Sequence, residues 1–277
     1  MSVVVPTRDR PSSLARCLAA LEAQTASSFE VVVVDDGSTD ASGVDAVIAG
    51  APHARIVRAD GRGPAAARNR GIDASVASIV CLTDDDCEPV PHWVDRHRDR
   101  IDRGADVVAG PTVNGPEDGV FSRASQLVTN HLVAESSDHA GGVRFAPTSN
   151  LAARSAVFEE HRFDESYPAA AGEDREWCAQ VVDAGLRIVV EDGAVVDHHQ
   201  DLSFWRFWRQ QVRYGRGAVG VHHSGADARR PLSFYAGLVR VGFADGLATG
   251  VAVVIGQVAT VTGFAIETVD RRRRRGP

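Results

Sequence analysis

Apolar runs without polar alternation recur along the first half of the chain, and each ends in charged or glycine-containing residues. SVVVP at 2–6 reads as a buried strand. After TRDR, Pro11 takes an allowed first-turn position and Leu14, Leu18 and Leu21 share one helical face. FEVVVV at 29–34 is a second strand that lacks alternation, which suits a parallel strand buried on both faces. ARIVRA at 54–59 and SIVCL at 78–82 continue the series, with a Gly- and Pro-opened helix, GRGPAAARNRGI at 61–72, between them. WVDRHRDRI at 93–101 is an amphipathic helix and ADVVAG at 105–110 a further strand. Residues 115–142 hold a helical piece around FSRASQLVTNHLVAE. GEDREWCAQVVDAG at 172–185 reads as a helix stopped by Gly185. LRIVV at 186–190 and AVVDHH at 194–199, joined by EDG, read as a hairpin. Strands alternating with helices predict an α/β fold around a mostly parallel sheet.

Ligands of open parallel sheets bind outside the carboxyl ends of the strands, and acidic clusters stand at two such ends. TDDDC at 83–87 places three like charges side by side. With a side-chain period of two, Asp84 and Asp86 would point one way and Asp85 the other. The pair would clamp a hard divalent cation, Mn²⁺ or Mg²⁺; a solvated acidic turn is the plain alternative. Asp35 and Asp36, in DDGSTD with Ser38 and Thr39, suit ribose hydroxyls or a base N–H, or else cap the next helix. GPAAARNRG offers a helix N-terminus with Arg68 or Arg70 to an anion, or is a surface helix with solvated arginines. Asp174, beside Glu173 at the start of its helix, suits a general base or an N-cap. The helix N-terminus is expected to lower its pKa. His198 or His199 would complete a metal shell, or serve in hydrogen bonding.

Charge narrows the field: a formal net charge of -7 argues against a general nucleic-acid surface. All 30 basic residues are Arg, so the choice of Arg over Lys says little at any one position. Cys17, Cys81, Cys87 and Cys178 form no CxxC pair, pointing to reduced thiols in the cytoplasm rather than zinc. MSVVVP enters a strand directly, so no secretory signal is expected. Residues 246–266 carry no charge and precede RRRRR at 271–275. One span would carry the arginines outward against the positive-inside tendency. A second crossing at 232–244 would bury Arg240. Peripheral or re-entrant association at the inner face of the cytoplasmic membrane is therefore the expectation, against packing on the protein or in a dimer. DLSFWRFWRQQVRYGRG at 201–217 interleaves aromatics with Arg, suiting a membrane interface, a lid over the acceptor site, or packing on the main domain.

The order VVVPTRDR, VVVVDDGSTD, ARNRGI, LTDDDCEP, TSNLAARSAVF, GEDREW, VVDHH and YGRGA resembles glycosyltransferase family 2, over nearly the whole chain to about residue 220. The resemblance implies a GT-A fold, with a Rossmann-like nucleotide-binding half. It also implies a nucleotide-diphosphate-sugar donor, a divalent metal and inverting displacement at the anomeric carbon. Residue by residue, it makes Asp36, with Asp35 and Arg68, the nucleotide-sugar side, and Asp84 and Asp86 the metal and diphosphate site. Whether Asp85 binds sugar or metal stays open. Asp174 is similar to the catalytic base with Glu173 alongside, His198 to the late metal ligand, and Ser149 and Asn150 fall on the acceptor side. The expected organisation is a catalytic domain at 1–200, divided into a donor half at 1–110 and an acceptor half at 111–200, then a helical, membrane-associated segment at 201–277. That segment alone suggests a lipid-linked or envelope glycan as acceptor. A nucleotidyltransferase and a non-catalytic nucleotide-sugar-binding protein are the alternatives. The first would want a Gly-rich loop after the first strand, which VVVPTRDRPSS lacks.

Overall fold

The computed structural model describes all residues except 116–117, 139–140, 168–170, 224–229 and 276–277. β1 (Ser2–Thr7) leads to α1 (Pro11–Glu22), β2 (Glu30–Asp35) to α2 (Ala41–Ala49), and β3 (Ala54–Arg58) to α3 (Pro64–Ala74). β4 (Ile79–Thr83) continues through β5 (Cys87–Pro89) to α4 (Trp93–Asp102). The less regular second half runs β6 (Val107–Ala109), β7 (Thr112–Asn114), α5 (Val120–Glu135), β8 (Gly142–Val143), β9 (Asn150–Arg154), α6 (Ser155–Glu160), α7 (Glu173–Asp183), β10 (Ile188–Val190) and β11 (Val196–His198). α8 (Phe204–His223), α9 (Leu232–Asp245) and α10 (Leu247–Arg275) follow.

The main sheet has eight strands in the order β3-β2-β1-β4-β9-β6-β10-β8. β3, β2, β1 and β4 are mutually parallel, and β9 runs antiparallel between β4 and β6. The valine runs do not alternate because both faces are covered. Val3, Val5, Val31 and Val33 share a core with Leu14, Leu18, Val44 and Trp93 of the helices on one side. Val4, Val32 and Val34 share another with Ala65, Ala67 and Trp177 of α3 and α7. Burying seven such valines supplies roughly 10–20 kcal/mol before chain entropy is counted. Gly71 sets how close α3 lies: a Cβ there would stand 2.3 Å from Val4 Cγ1 and 2.9 Å from Val34 Cγ2.

The predicted hairpin at 186–199 does not form. β10 joins the main sheet, parallel to β6, while β11 joins a three-stranded sheet, β5-β11-β7, parallel to β7. The chain from β6 to β7 and the chain from β10 to β11 thus cross together from one sheet to the other. Gly110 permits the crossing, since a Cβ there would lie 2.0 Å from the Ala194 carbonyl oxygen. Ile188 and Val196 are thereby buried in separate sheets, a cover that an isolated two-stranded ribbon does not provide.

The last three helices build their own core with α5, from Ala124, Phe207, Phe234, Leu238, Ala252 and Val253. Gly215 and Gly263 let α8 and α10 touch backbone to backbone: added Cβ atoms would meet Thr260 O at 1.9 Å and Val212 O at 2.0 Å. Arg216 clamps the far end to Glu267 and Asp270 at 2.9 and 3.1 Å. Most aromatics of α8 pack inward: Phe207 is fully buried, and Phe204 and Phe207 lie against Phe121. Trp205 is exposed. α10 is one unbroken helix, long and apolar enough by composition to cross a membrane. On its outer face Leu247, Val251, Val254, Val258 and Val261 are exposed, at spacings of four and three residues.

Candidate active site

Thr7 pairs with Asp35 in the parallel register, and Thr83 with Asn150 across the antiparallel one. The carboxyl ends of β1, β2 and β4 and the amino end of β9 thus share one edge. β4 stops at Thr83, so Asp84, Asp85 and Asp86 occupy the turn into β5, and strand alternation does not govern them. Asp85 and Asp86 both accept from Arg10 Nη1 at 2.8 Å, while Asp84 accepts from Arg68 Nη2 at 2.8 Å. The expectation that Asp84 and Asp86 pair with Asp85 turned away is therefore corrected.

Buried Asp85 also accepts from Thr7 Oγ1 at 2.7 Å. Burial, with Asp86 beside it, raises its pKa to about 6 despite Arg10. Burial also opposes ionisation of Asp86, but His198 and Arg10 overcome it and hold that carboxyl well below the usual range. Burial lowers the His198 pKa and Asp86 raises it, with a net rise. His198 Nε2 lies 3.2 Å from Asp86 Oδ1. Its Nδ1 faces Gln126 Oε1 at 3.0 Å, and Gln126 Nε2 donates to Thr112 O and Asn130 Oδ1. Gln126 thus presents its oxygen to His198 Nδ1, which Gln200 Nε2 also approaches at 3.1 Å, while the ring Nε2 faces Asp86. His199 turns instead to Glu88, at 3.3 Å.

These residues fit a hard cation. Among the described residues Asp86, Cys87 and His198 are the group whose ligand atoms lie within 4.8 Å of one another. A carboxylate and an imidazole suit Mn²⁺ or Mg²⁺. Burial and the flanking acids push the Cys87 thiol well up, and a hard cation prefers oxygen and imidazole ligands to sulfur. Asp84 is outside that group and accepts from Arg68.

Arg68 is not the exposed anion hook its sequence context suggested: it is 4% exposed, and Nη1 also pairs with Glu173 Oε1 at 3.2 Å. Gly172, at φ 103°, turns the chain into α7 so that Glu173 and Asp174 fall in its first turn. Glu173 is buried and its Oε2 accepts from the Ala171 amide at 2.8 Å. Asp174 Oδ1 accepts from the Arg175 amide at 2.8 Å. The helix end was expected to lower the Asp174 pKa; burial and then the Glu173 charge prevail and raise it to about 7.

Asp35 and Asp36 are both buried. Asp35 accepts from the Ser38 amide and pairs with Arg58. Asp36 accepts from the amides of Arg62 and Gly63 at 3.1 and 2.9 Å, fixing the entry to α3. The cap of α2 is Asp40. Ser149 is buried and its carbonyl accepts from Thr83 Oγ1 at 2.9 Å. Asn150 is a core hub rather than an acceptor contact: it is fully buried, accepts from Trp93 Nε1 and His97 Nε2, and donates to Pro111 O and Ala194 O. Its hydrogen-bonding capacity is spent. The sequence reading missed Arg10 and Gln126. Arg10 had a signal, two arginines in the loop leaving the first strand; Gln126, inside a helical pattern, had none.

The description "Glycosyl transferase family 2" matches residues 2–161. Glycosyltransferase AglE of Haloferax volcanii is 28% identical over 80% of this chain and 73% of its own length. The pre-mycofactocin glycosyltransferase of Mycobacterium tuberculosis is 26% identical over 98% of this chain, which spans only 58% of that relative. Among solved structures, the mannosyltransferase PcManGT from Pyrobaculum calidifontis, in complex with GDP-Man and Mn²⁺, superposes with a TM-score of 0.61 at 21% identity, over 93% of this chain and 73% of that one. S. aureus TarS with UDP-GlcNAc gives 0.56 at 18% identity, over 79% of this chain and 66% of that one. With its mostly parallel sheet and GT-A neighbours, the chain belongs to glycosyl transferase family 2 and is a glycosyltransferase of the GT-A fold.

Proposed function

We propose that this enzyme moves a sugar from a nucleotide-diphosphate-sugar to a hydroxyl of a lipid-linked or envelope glycan by a single inverting displacement. The observation that carries the reading is Asp174, a carboxylate raised to about 7 at a helix start and joined to the Asp84 turn through Glu173 and Arg68. A base works best with a pKa near the working pH. Asp174 takes the proton of the acceptor hydroxyl as its oxygen attacks the anomeric carbon. The bond to the diphosphate breaks on the opposite side, and its electron pair leaves with the diphosphate. Arg10 lies beside the Asp85 and Asp86 carboxylates on that side. Asp86 and His198, with Asp84 nearby, would hold a divalent cation, which when bound stabilises charge on the leaving diphosphate. The nucleoside lies toward Asp35 and Asp36 at the end of β2. The ligands named for PcManGT and TarS support a nucleotide-sugar donor and a divalent metal.

The test is release of nucleoside diphosphate from a panel of UDP-, GDP-, dTDP- and CDP-sugars, with Mn²⁺ or Mg²⁺ and with EDTA. Turnover with one base class, abolished by EDTA and by Asp174→Asn or Asp86→Asn, is expected. Full activity of those variants, or no turnover and no thermal shift with any nucleotide, would sink the reading. A bound nucleotide at 100 times its Kd stabilises the fold by about 2.7 kcal/mol, so the shift is measurable before an acceptor is known.

The location belongs to the same proposal. The outer stripe of α10 lies in the plane of the cytoplasmic leaflet, with exposed Arg272 and Arg273 on anionic headgroups. An unbroken α10 suits this in-plane posture better than a re-entrant one. Co-sedimentation with vesicles rich in phosphatidylglycerol, lost in Val258→Asp/Val261→Asp, is expected. Equal recovery of both proteins in the supernatant would refute it.

A further inference from the structure

Arg68 is a buried guanidinium shared between two carboxylates that come from distant parts of the chain. Asp84 belongs to the turn after β4, on the proposed donor side, and Glu173 opens α7, on the proposed base side. Taking a guanidinium out of water costs several kcal/mol, which the structure tolerates because both partners are charged. Its burial keeps a phosphate from reaching it, so its work is internal. α3, which carries it, is held against the sheet at Gly71. Glu173 is fixed a second time by the Ala171 amide. Asp174, the neighbour of Glu173, therefore inherits its place from this bridge.

We infer that Arg68 is a positioning residue that fixes the distance between the donor-side carboxylates and the base Asp174, through one planar fork bonded to Asp84 and Glu173. The inference rests on the glycosyl-transfer reading above. A lysine at this position keeps the charge, but its single ammonium on a flexible stem does not reproduce two fixed and divergent N–H directions. Misplacement of about 1 Å between reacting groups can cost on the order of 100-fold in rate without weakening ground-state binding.

The experiment compares wild type with Arg68→Lys. Donor KM and kcat are read from nucleotide-sugar hydrolysis, and the affinity for nucleoside diphosphate with Mn²⁺ from calorimetry, which needs no chemistry. The expected result is a kcat lower by about 100-fold, with KM and diphosphate affinity within about three-fold of wild type. A kcat within three-fold of wild type overturns the inference. So does a raised KM at unchanged kcat, which would make Arg68 a ligand of the donor. If Arg68→Lys fails to fold, Glu173→Asp reads the bridge from its other end, keeping the charge beside Asp174 while shortening the reach to Arg68: the same split is expected, and an unchanged kcat overturns the inference. A wild-type protein that neither binds nor turns over any donor overturns the glycosyl-transfer reading, and this inference with it.

Discussion

Asp174→Asn should stabilise the protein while abolishing its activity, and the gain should grow with pH. The carboxyl titrates near 7 in the folded chain, raised first by burial and then by Glu173, against an ordinary 3.8. Between those values the folded state holds a proton that the unfolded state has released. Its contribution to stability is therefore fully present below about pH 4 and is lost as pH rises through 7. A shift of about three units corresponds to roughly 4 kcal/mol at pH 8, and on the order of 1–2 kcal/mol at pH 5. Asparagine keeps the shape and never ionises, so it should recover most of that penalty. For a chain of this size about 4 kcal/mol is a rise in Tm on the order of 10 °C at pH 8, shrinking toward pH 5. Calorimetric scans of both proteins at pH 5, 6.5 and 8 would measure it. In parallel, wild-type kcat should climb from acid pH with a midpoint near 7. A Tm difference independent of pH would refute the assignment of the raised pKa. An Asp174→Asn protein with undiminished turnover would refute Asp174 as the base.

Other parts of the site yield separate expectations. Asn150→Leu leaves the Trp93 indole, His97 Nε2 and the Ala194 carbonyl without partners, while Pro111 O keeps the Val196 amide. It should cost at least about 3 kcal/mol, read as a lower urea midpoint. Gln126→Leu removes the oxygen that faces His198 Nδ1, and Mn²⁺ affinity by calorimetry should fall by about 10- to 100-fold at unchanged far-UV circular dichroism. Gly263→Val drives a side chain into Val212 O and should destabilise by about 3 kcal/mol or more, with α8 and α10 more open to proteolysis.

Much of the first half of the chain was legible because its signals are local. Valine runs buried on both faces announce parallel strands, and Asp clusters behind them announce a functional edge. The motif order pointed to the family to which residues 2–161 match. β9 escaped notice because NLAAR is alanine-rich and becomes a strand only between β4 and β6. The 186–199 hairpin was misread for the same reason: its two halves obey neighbours distant in sequence.

What the sequence determined by itself is the set of chemical groups and the strand ends they follow, since both depend on residue type and short-range spacing. Which carboxylates face which cations was decided by the tertiary structure alone. Asp85 and Asp86 meet Arg10, Asp84 meets Arg68, and His198 meets Gln126, across separations no periodicity encodes. The pKa of Asp174 is the plainest case. The helix start is visible in the sequence and lowers it, but burial beside Glu173 is not visible, and it outweighs the helix end because charge is costlier in a low-dielectric site than the helix dipole is favourable.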